Sequence, residues 1–176
     1  MIKIVFVLVL VILLVLIYAY SKPSAFQVQR SVQIGAAPDK VFAFINDFRQ
    51  WDAWTPYNKD PAMTKTYRGA DSGPGAGYDW SGTNAVGQGS IDIMQTTPPN
   101  LLVLDLQMLK PFPARNRVEF RLQAQGAGTD VTWYMEGRQA FMMKVMGLFM
   151  DMDKLVGQDF EVGLSRLKAL AERAAG

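Results

Sequence analysis

The 176-residue chain contains no cysteine and no histidine. Without cysteine there is no disulfide framework, no thiol nucleophile and no cysteine-held metal, and the redox compartment stays open. Without histidine the commonest general base and the commonest transition-metal ligand are missing, so acid–base chemistry would have to rest on Asp, Glu, Tyr or Lys. Charge of one sign is scarce too. The 18 basic and 16 acidic residues leave a net charge of +2, and no long Lys/Arg block occurs, which argues against a nucleic-acid partner. No cofactor motif, metal-ligand cluster or catalytic constellation is legible. What the chain has in quantity is apolar material, 49% of its residues. That suffices for one domain with a sizeable core, and the length is too short for two, so one domain plus an appendage is expected.

The appendage is at the amino end. Ile4 to Tyr20 is an unbroken apolar run of 17 residues, with Lys3 before it and Lys22-Pro23 after. As a helix it would reach roughly 26 Å, at the short end of what a bilayer core requires, and Tyr18 and Tyr20 would sit at one interface. A buried core helix would carry a polar face, and this run has none. Residues 1–22 therefore read as a transmembrane anchor or, with Ala19-Tyr20-Ser21 as a passable cleavage site, a signal peptide. The short basic leader favours a single-pass arrangement with the following domain outside the cytoplasm.

Residues 26–174 form the domain. Phe26 to Ile34 alternates, with Phe26, Val28, Val32 and Ile34 on one face, and reads as a strand. Arg30 shares that apolar face, which means either a cation in a pocket or an edge position where the stem packs and the head reaches water. Pro38 then opens a short helix with Asp39 in its first turn, and Val41, Phe42, Phe44, Ile45 and Phe48 give it a buried side. A second helical turn, Arg49 to Tyr57, brings Trp51, Trp54 and Tyr57 together, to border a ligand mouth or to seal the helices onto a sheet. Strands are expected at Met63–Arg68, Gly77–Gly82, Val86–Thr97 and Leu101–Leu109. The Gly69–Gly77 stretch is a hairpin loop, since it opens no helix and lacks the Lys-Ser/Thr of a phosphate loop. Val118, Phe120 and Leu122 alternate with charged residues, and after the Gly126–Gly128 turn Val131, Trp133 and Met135 share one face, as one-side-buried antiparallel strands do. No strand–helix–strand unit repeats, so an α+β antiparallel sheet covered on one face is the architecture.

The carboxyl end is helical. Phe149, Met152, Val156, Phe160, Leu164, Leu167, Ala171 and Ala174 recur at steps of three or four against a charged opposite side, with Gly157 and Gly163 as small residues for close approach or a bend. Phe141 to Leu148 is apolar on too many sides to extend that helix, and reads as a separate mobile segment at a cavity mouth.

Several strings resemble the helix-grip superfamily (SRPBCC), which includes START lipid-transfer domains, Bet v 1 allergens and the polyketide cyclase/dehydrase group. They are Ala37-Pro38-Asp39-Lys40-Val41-Phe42-Ala43-Phe44-Ile45, Trp51-Asp52-Ala53-Trp54-Thr55-Pro56, Gly77-Tyr78-Asp79-Trp80, Gly128-Thr129-Asp130-Val131-Thr132-Trp133 and Phe160-Glu161-Val162-Gly163-Leu164. The resemblance implies a curved sheet of six to seven strands gripping the last helix, with a cavity between them. It implies a hydrophobic small-molecule partner such as a lipid, quinone or polyketide-like compound. Trp80, Ile91, Leu104, Phe120, Trp133 and Met135 from the strands and Phe149, Met152, Val156 and Phe160 from the helix would line the cavity. Five of the ten methionines lie between Met142 and Met152, and flexible thioethers adapt to varied ligands. The metal-binding branch of the superfamily uses His ligands, which this chain lacks. Two other readings stay open. An enzyme of the cyclase or hydratase type would use Asp79, Asp92, Asp105, Glu136, Arg138 or Tyr78, yet strand parity points Asp79 and Asp92 away from their apolar neighbours. A non-enzymatic membrane stress or interaction protein would have a closed cavity, with Phe141 to Met150 against a bilayer or a partner.

Overall fold

The computed structural model describes residues 2–84 and 86–175, apart from the side chain of Met152. Helix α1 (Ile2–Ser21) is followed by β1 (Ala25–Ile34), α2 (Pro38–Ile45), a 3₁₀ turn (Phe48–Ala53), β2 (Thr64–Gly69), β3 (Ala76–Ser81), β4 (Gln88–Thr97), β5 (Leu101–Lys110), β6 (Ala114–Gln125), β7 (Gly128–Arg138), α3 (Phe141–Met146) and α4 (Met152–Ala175). The seven strands form one antiparallel sheet in the order β1-β7-β6-β5-β4-β3-β2, so β1 and β2 are the edges. Side chains alternate across it, and α2, the 3₁₀ turn and α4 all lie against one face, here called the inner face.

Local chemistry fixes the helix positions. Pro38 stands in the first turn of α2 with Asp39 beside it, where a missing N–H costs nothing and a carboxylate suits the helix dipole. The second helical turn is a 3₁₀ element that ends at Ala53, short of Pro56, with the Asp47 side chain accepting from the Arg49 N–H at its start. Trp51 and Trp54 are buried and donate their indole N–H groups to the carbonyls of Ile45 and Phe44 at the end of α2. They seal the helices onto the sheet and do not border an opening. The last helix begins at Met152 because Asp151 caps it, its carboxylate accepting from the Lys154 N–H at 3.1 Å.

Both glycines of α4 serve close approach. A Cβ on Gly163 would stand 2.8 Å from the Trp133 ring and 3.0 Å from Pro56, and one on Gly157 would stand 2.0 Å from the Arg30 guanidinium. Arg30 crosses the start of α4 there, donating to Glu161 at 2.8 Å and to Asp153 at 3.0 Å. Its edge position matches one of the two readings of the sequence, but its head is spent on a clamp between β1 and α4.

Helix α1 has a mean hydropathy of 3.2 with 6% of its most apolar window buried. A core helix would be covered, so that reading of the apolar run falls away, and the helix has the length and composition of an anchor or signal sequence. Its buried Ala19 lies near its carboxyl end, and α3 packs against it.

Candidate functional site

The register divides the inner face into rows that cross the sheet. The far rows, Arg30–Trp133–Phe120–Leu102 and Val32–Val131–Leu122, lie under the helices. Trp54 meets Phe120 and Trp133 edge-on at 5.9 and 5.7 Å, and Trp133 stacks on Phe160 at 4.2 Å with 7° between the planes. Leu164, Leu167 and Ala171 continue this contact along α4, all of them fully buried. Side chains therefore fill the middle of the space in which a cavity was expected. The near rows, at the end of the sheet closest to α1, run Phe26–Gly137–Asn116–Leu106–Ile91–Tyr78 and Ala114–Met108–Gly89–Trp80. Phe26, Leu106, Met108, Tyr78 and Trp80 are only partly buried, so the inner face opens at this end.

Of the residues expected to line a site, Ile91, Leu104, Phe120, Trp133, Met135 and Phe160 join one buried cluster, and Trp80 and Val156 pack against its margin. Phe149 is elsewhere. It sits in the turn between α3 and α4, 78% exposed, because the helix starts only after Asp151. The side chain of Met152 lies outside the described residues. The separate segment at Phe141–Leu148 is a short helix held against α1. The Lys144 Nζ donates to the carbonyls of Tyr20 at 3.5 Å and Lys22 at 2.7 Å.

The inner face carries few polar groups, and two of them are unusual. Among the described residues, three buried side-chain atoms lack a hydrogen-bond partner: Asn46 Oδ1 at the end of α2, Asn116 Oδ1 and Trp133 Nε1. The last two are on the inner face. The other three tryptophans all have indole partners, Trp80 donating to the Val86 carbonyl at 3.1 Å. Asn116 lies over Gly137, where a Cβ would come within 2.0 Å of its Oδ1. It shares the parity of Val118 and Phe120, but Pro113 hid the early start of β6 from sequence reasoning. Extending the alternation back two residues would have found it. Lys65, also inward, is satisfied by Asp52 and Asn58 and stands over the Tyr78 ring.

The acidic candidates for chemistry lie on the outer face. Arg68 pairs with Asp79 and Asp92, Arg115 with Asp105, and the Tyr134 hydroxyl donates to Glu136. Arg138 shares the outward parity of Glu136. The phenol of Tyr78 is pushed far up by burial, which keeps it protonated. Glu119, buried on the outer side, is flanked by Arg117 and Arg121. Burial raises its pKa, and the two guanidiniums more than offset that, holding it below the usual carboxylate range. The hydrogen bond from Arg115 lowers Asp105 likewise. A depression of about 490 Å³ bordered by Gln27, Arg115, Arg117, Glu136 and Arg138 opens at the same near end of the sheet. Among the described residues no cluster of His, Cys, Asp or Glu could hold a metal ion.

Solved structures share this architecture. Protein CV1439 from Chromobacterium violaceum aligns with a TM-score of 0.60 at 14% identity, over 86% of this chain and 99% of its own. The Aha1 protein of Colwellia psychrerythraea, solved as a dimer, aligns at 0.58 and 13%, over 86% and 99%. Ara h 8.0201 aligns at 0.58 and 12%, over 84% and 97%. At such identities the likeness speaks for the fold alone. Comparison with curated proteins returns no match. The family described as polyketide cyclase / dehydrase and lipid transport matches residues 25–172. From β1 to the final turns of α4, then, the chain belongs to the polyketide cyclase/dehydrase and lipid transport family, and it has the Bet v 1-like helix-grip fold.

Proposed function

We propose that the protein is a membrane-anchored binding module for an apolar small molecule that enters at the near rows of the inner face. The observation that carries this is the pair of unpartnered polar atoms, Trp133 Nε1 and Asn116 Oδ1, on an inner face whose other named polar groups, Arg30 and Lys65, are paired. A buried donor or acceptor left unsatisfied costs about 1–3 kcal/mol. A ligand with a hydroxyl to donate to Asn116 Oδ1 and an oxygen to accept from Trp133 Nε1 recovers that cost while its apolar body covers Phe26, Leu106, Met108 and Trp80. Trp80, Ile91, Met135 and Val156 belong to the lining, and Trp133 with Phe160 forms its floor. The family's name supports a hydrophobic ligand or cyclase-like chemistry. Binding is favoured over chemistry because the named carboxylates occupy the outer face, ion-paired or hydrogen-bonded. Residues 1–22 hold the domain, residues 26–174, at a bilayer on its extracytoplasmic side.

The test is native mass spectrometry of the full-length chain released from membranes, with extraction and identification of any retained molecule. An apolar compound with an oxygen acceptor should accompany the wild type, and Trp133→Phe, which keeps a ring against Phe160 but removes the donor, should retain less of it. Protein that emerges free of any small molecule, and whose melting temperature responds to no lipid or quinone extract of the same membranes, would overturn the reading.

A further inference from the structure

Helix α3 is tied to the end of α1. The carbonyls of the last turn of a helix have no intrahelical donors, and Lys144 supplies one to Tyr20 and, just beyond the helix, one to Lys22. The rings of Tyr20 and Phe141 lie 6.5 Å apart. Where α1 spans a bilayer, these residues mark the lipid–water boundary, and α3 must lie at the same depth. Its neighbourhood suits that position. Phe141, Met142, Phe149 and Met150 are exposed, and from Phe141 to Met150 the only charged residue is Lys144. Water is a poor partner for such a surface, whereas apolar side chains with a basic residue match the headgroup–acyl boundary.

Strand pairing places the open end of the inner face on the same side. The start of β1 pairs with the end of β7, the start of β6 with the ends of β5 and β7, and the start of β4 with the end of β5. Ala25, Arg138, Ala114, Lys110 and Gln88 thus lie at the end nearest α1. Leu109 at the end of β5 and Phe112 in the hairpin beyond it add exposed apolar side chains there.

We propose that α3 and the turn leading into α4 lie in the surface layer of the bilayer that α1 enters, so that the open end of the inner face meets lipid directly. This rests on reading α1 as an uncleaved anchor. A ligand would then pass between the lipid phase and the site without crossing water.

The cysteine-free chain allows a clean test. Phe149→Cys and Met94→Cys are each made in the full-length protein, labelled with an environment-sensitive fluorophore and placed in nanodiscs of phosphatidylcholine and phosphatidylglycerol. Met94 is exposed and lies roughly 20 Å along β4 from Gln88, towards the opposite end. The probe at 149 should emit at shorter wavelength than that at 94 and lose most of its emission when the lipids carry a quencher in the upper acyl chain, while the probe at 94 keeps its own. A chain seated in the disc with probe 149 unquenched overturns the inference and leaves the anchor and the ligand reading standing. A blue-shifted probe that lipid-borne quencher cannot reach means that a second copy covers the surface, and overturns it also. A chain that does not enter the disc overturns both the inference and the anchor.

Discussion

The far and near rows of the inner face share β1, β7, β6 and β5, the near rows running on to β4 and β3, and they differ in what covers them. At the far rows every large side chain meets another. Trp54, Phe120, Trp133 and Phe160 form a continuous aromatic cluster under α4, edge-on at Trp54 and stacked between Trp133 and Phe160. At the near rows a comparable set of apolar residues is left half-covered, and a carboxamide sits among them without a partner for its oxygen. Close packing stabilises a fold and leaves no room for a guest. The two regions therefore divide the work, one holding α4 to the sheet and offering a guest only the unpartnered Trp133 indole N–H, the other remaining available.

The largest test of that division is Phe160→Ala, which should cost about 3–5 kcal/mol in urea unfolding, as removal of a buried aromatic ring does. Gly163→Ala should follow, at about 1–3 kcal/mol, because the added methyl meets Trp133 and Pro56; an unchanged midpoint would show that α4 is not pressed so closely onto the sheet. Acid should separate stability from binding. Glu119 and Asp105 have folded-state pKa values below their unfolded ones, so their contribution is present above the unfolded value near 4 and is lost as pH falls through the folded value. Unfolding midpoints should therefore drop below about pH 4, while ligand retention, which involves no titrating group of the inner face, should stay level across the range where the protein is folded. Retention that titrates between pH 5 and 8 would place a charged group in the site. Leu106→Ala, in the near rows, should cost only about 1 kcal/mol, as a partly exposed side chain. A loss as large as that of Phe160→Ala would erase the distinction between the regions.

Much of this was readable in the residues. Alternation of apolar and charged residues at Val118–Leu122 and Asp79–Asp92 assigned faces correctly, because strand parity is set by the backbone and needs no partner. The two α4 glycines stood out as small residues on an amphipathic helix and proved to be contact points. What resisted reading depended on distant residues or on a local break. Arg30 sits on an apolar face because Asp153 and Glu161, more than a hundred residues away, receive it. Phe149 fits the three-four spacing but falls before the Asp151 cap, so the spacing carried it onto a helix that had not yet begun. Asn116 was obscured by Pro113, which ends the loop only one residue before β6 starts. Whether apolar side chains leave a space or fill it is a matter of packing, which periodicity does not encode.

The most direct measurement pairs retention with stability in one substitution. Asn116→Leu removes the unpartnered carboxamide at similar volume, so its unfolding midpoint should match the wild type to within about 1 kcal/mol. Native mass spectrometry of the same full-length protein should show the apolar ligand of the wild type diminished or gone. Equal retention by the variant and the wild type, or a wild type that carries no small molecule, would contradict a ligand site at the open end of the sheet.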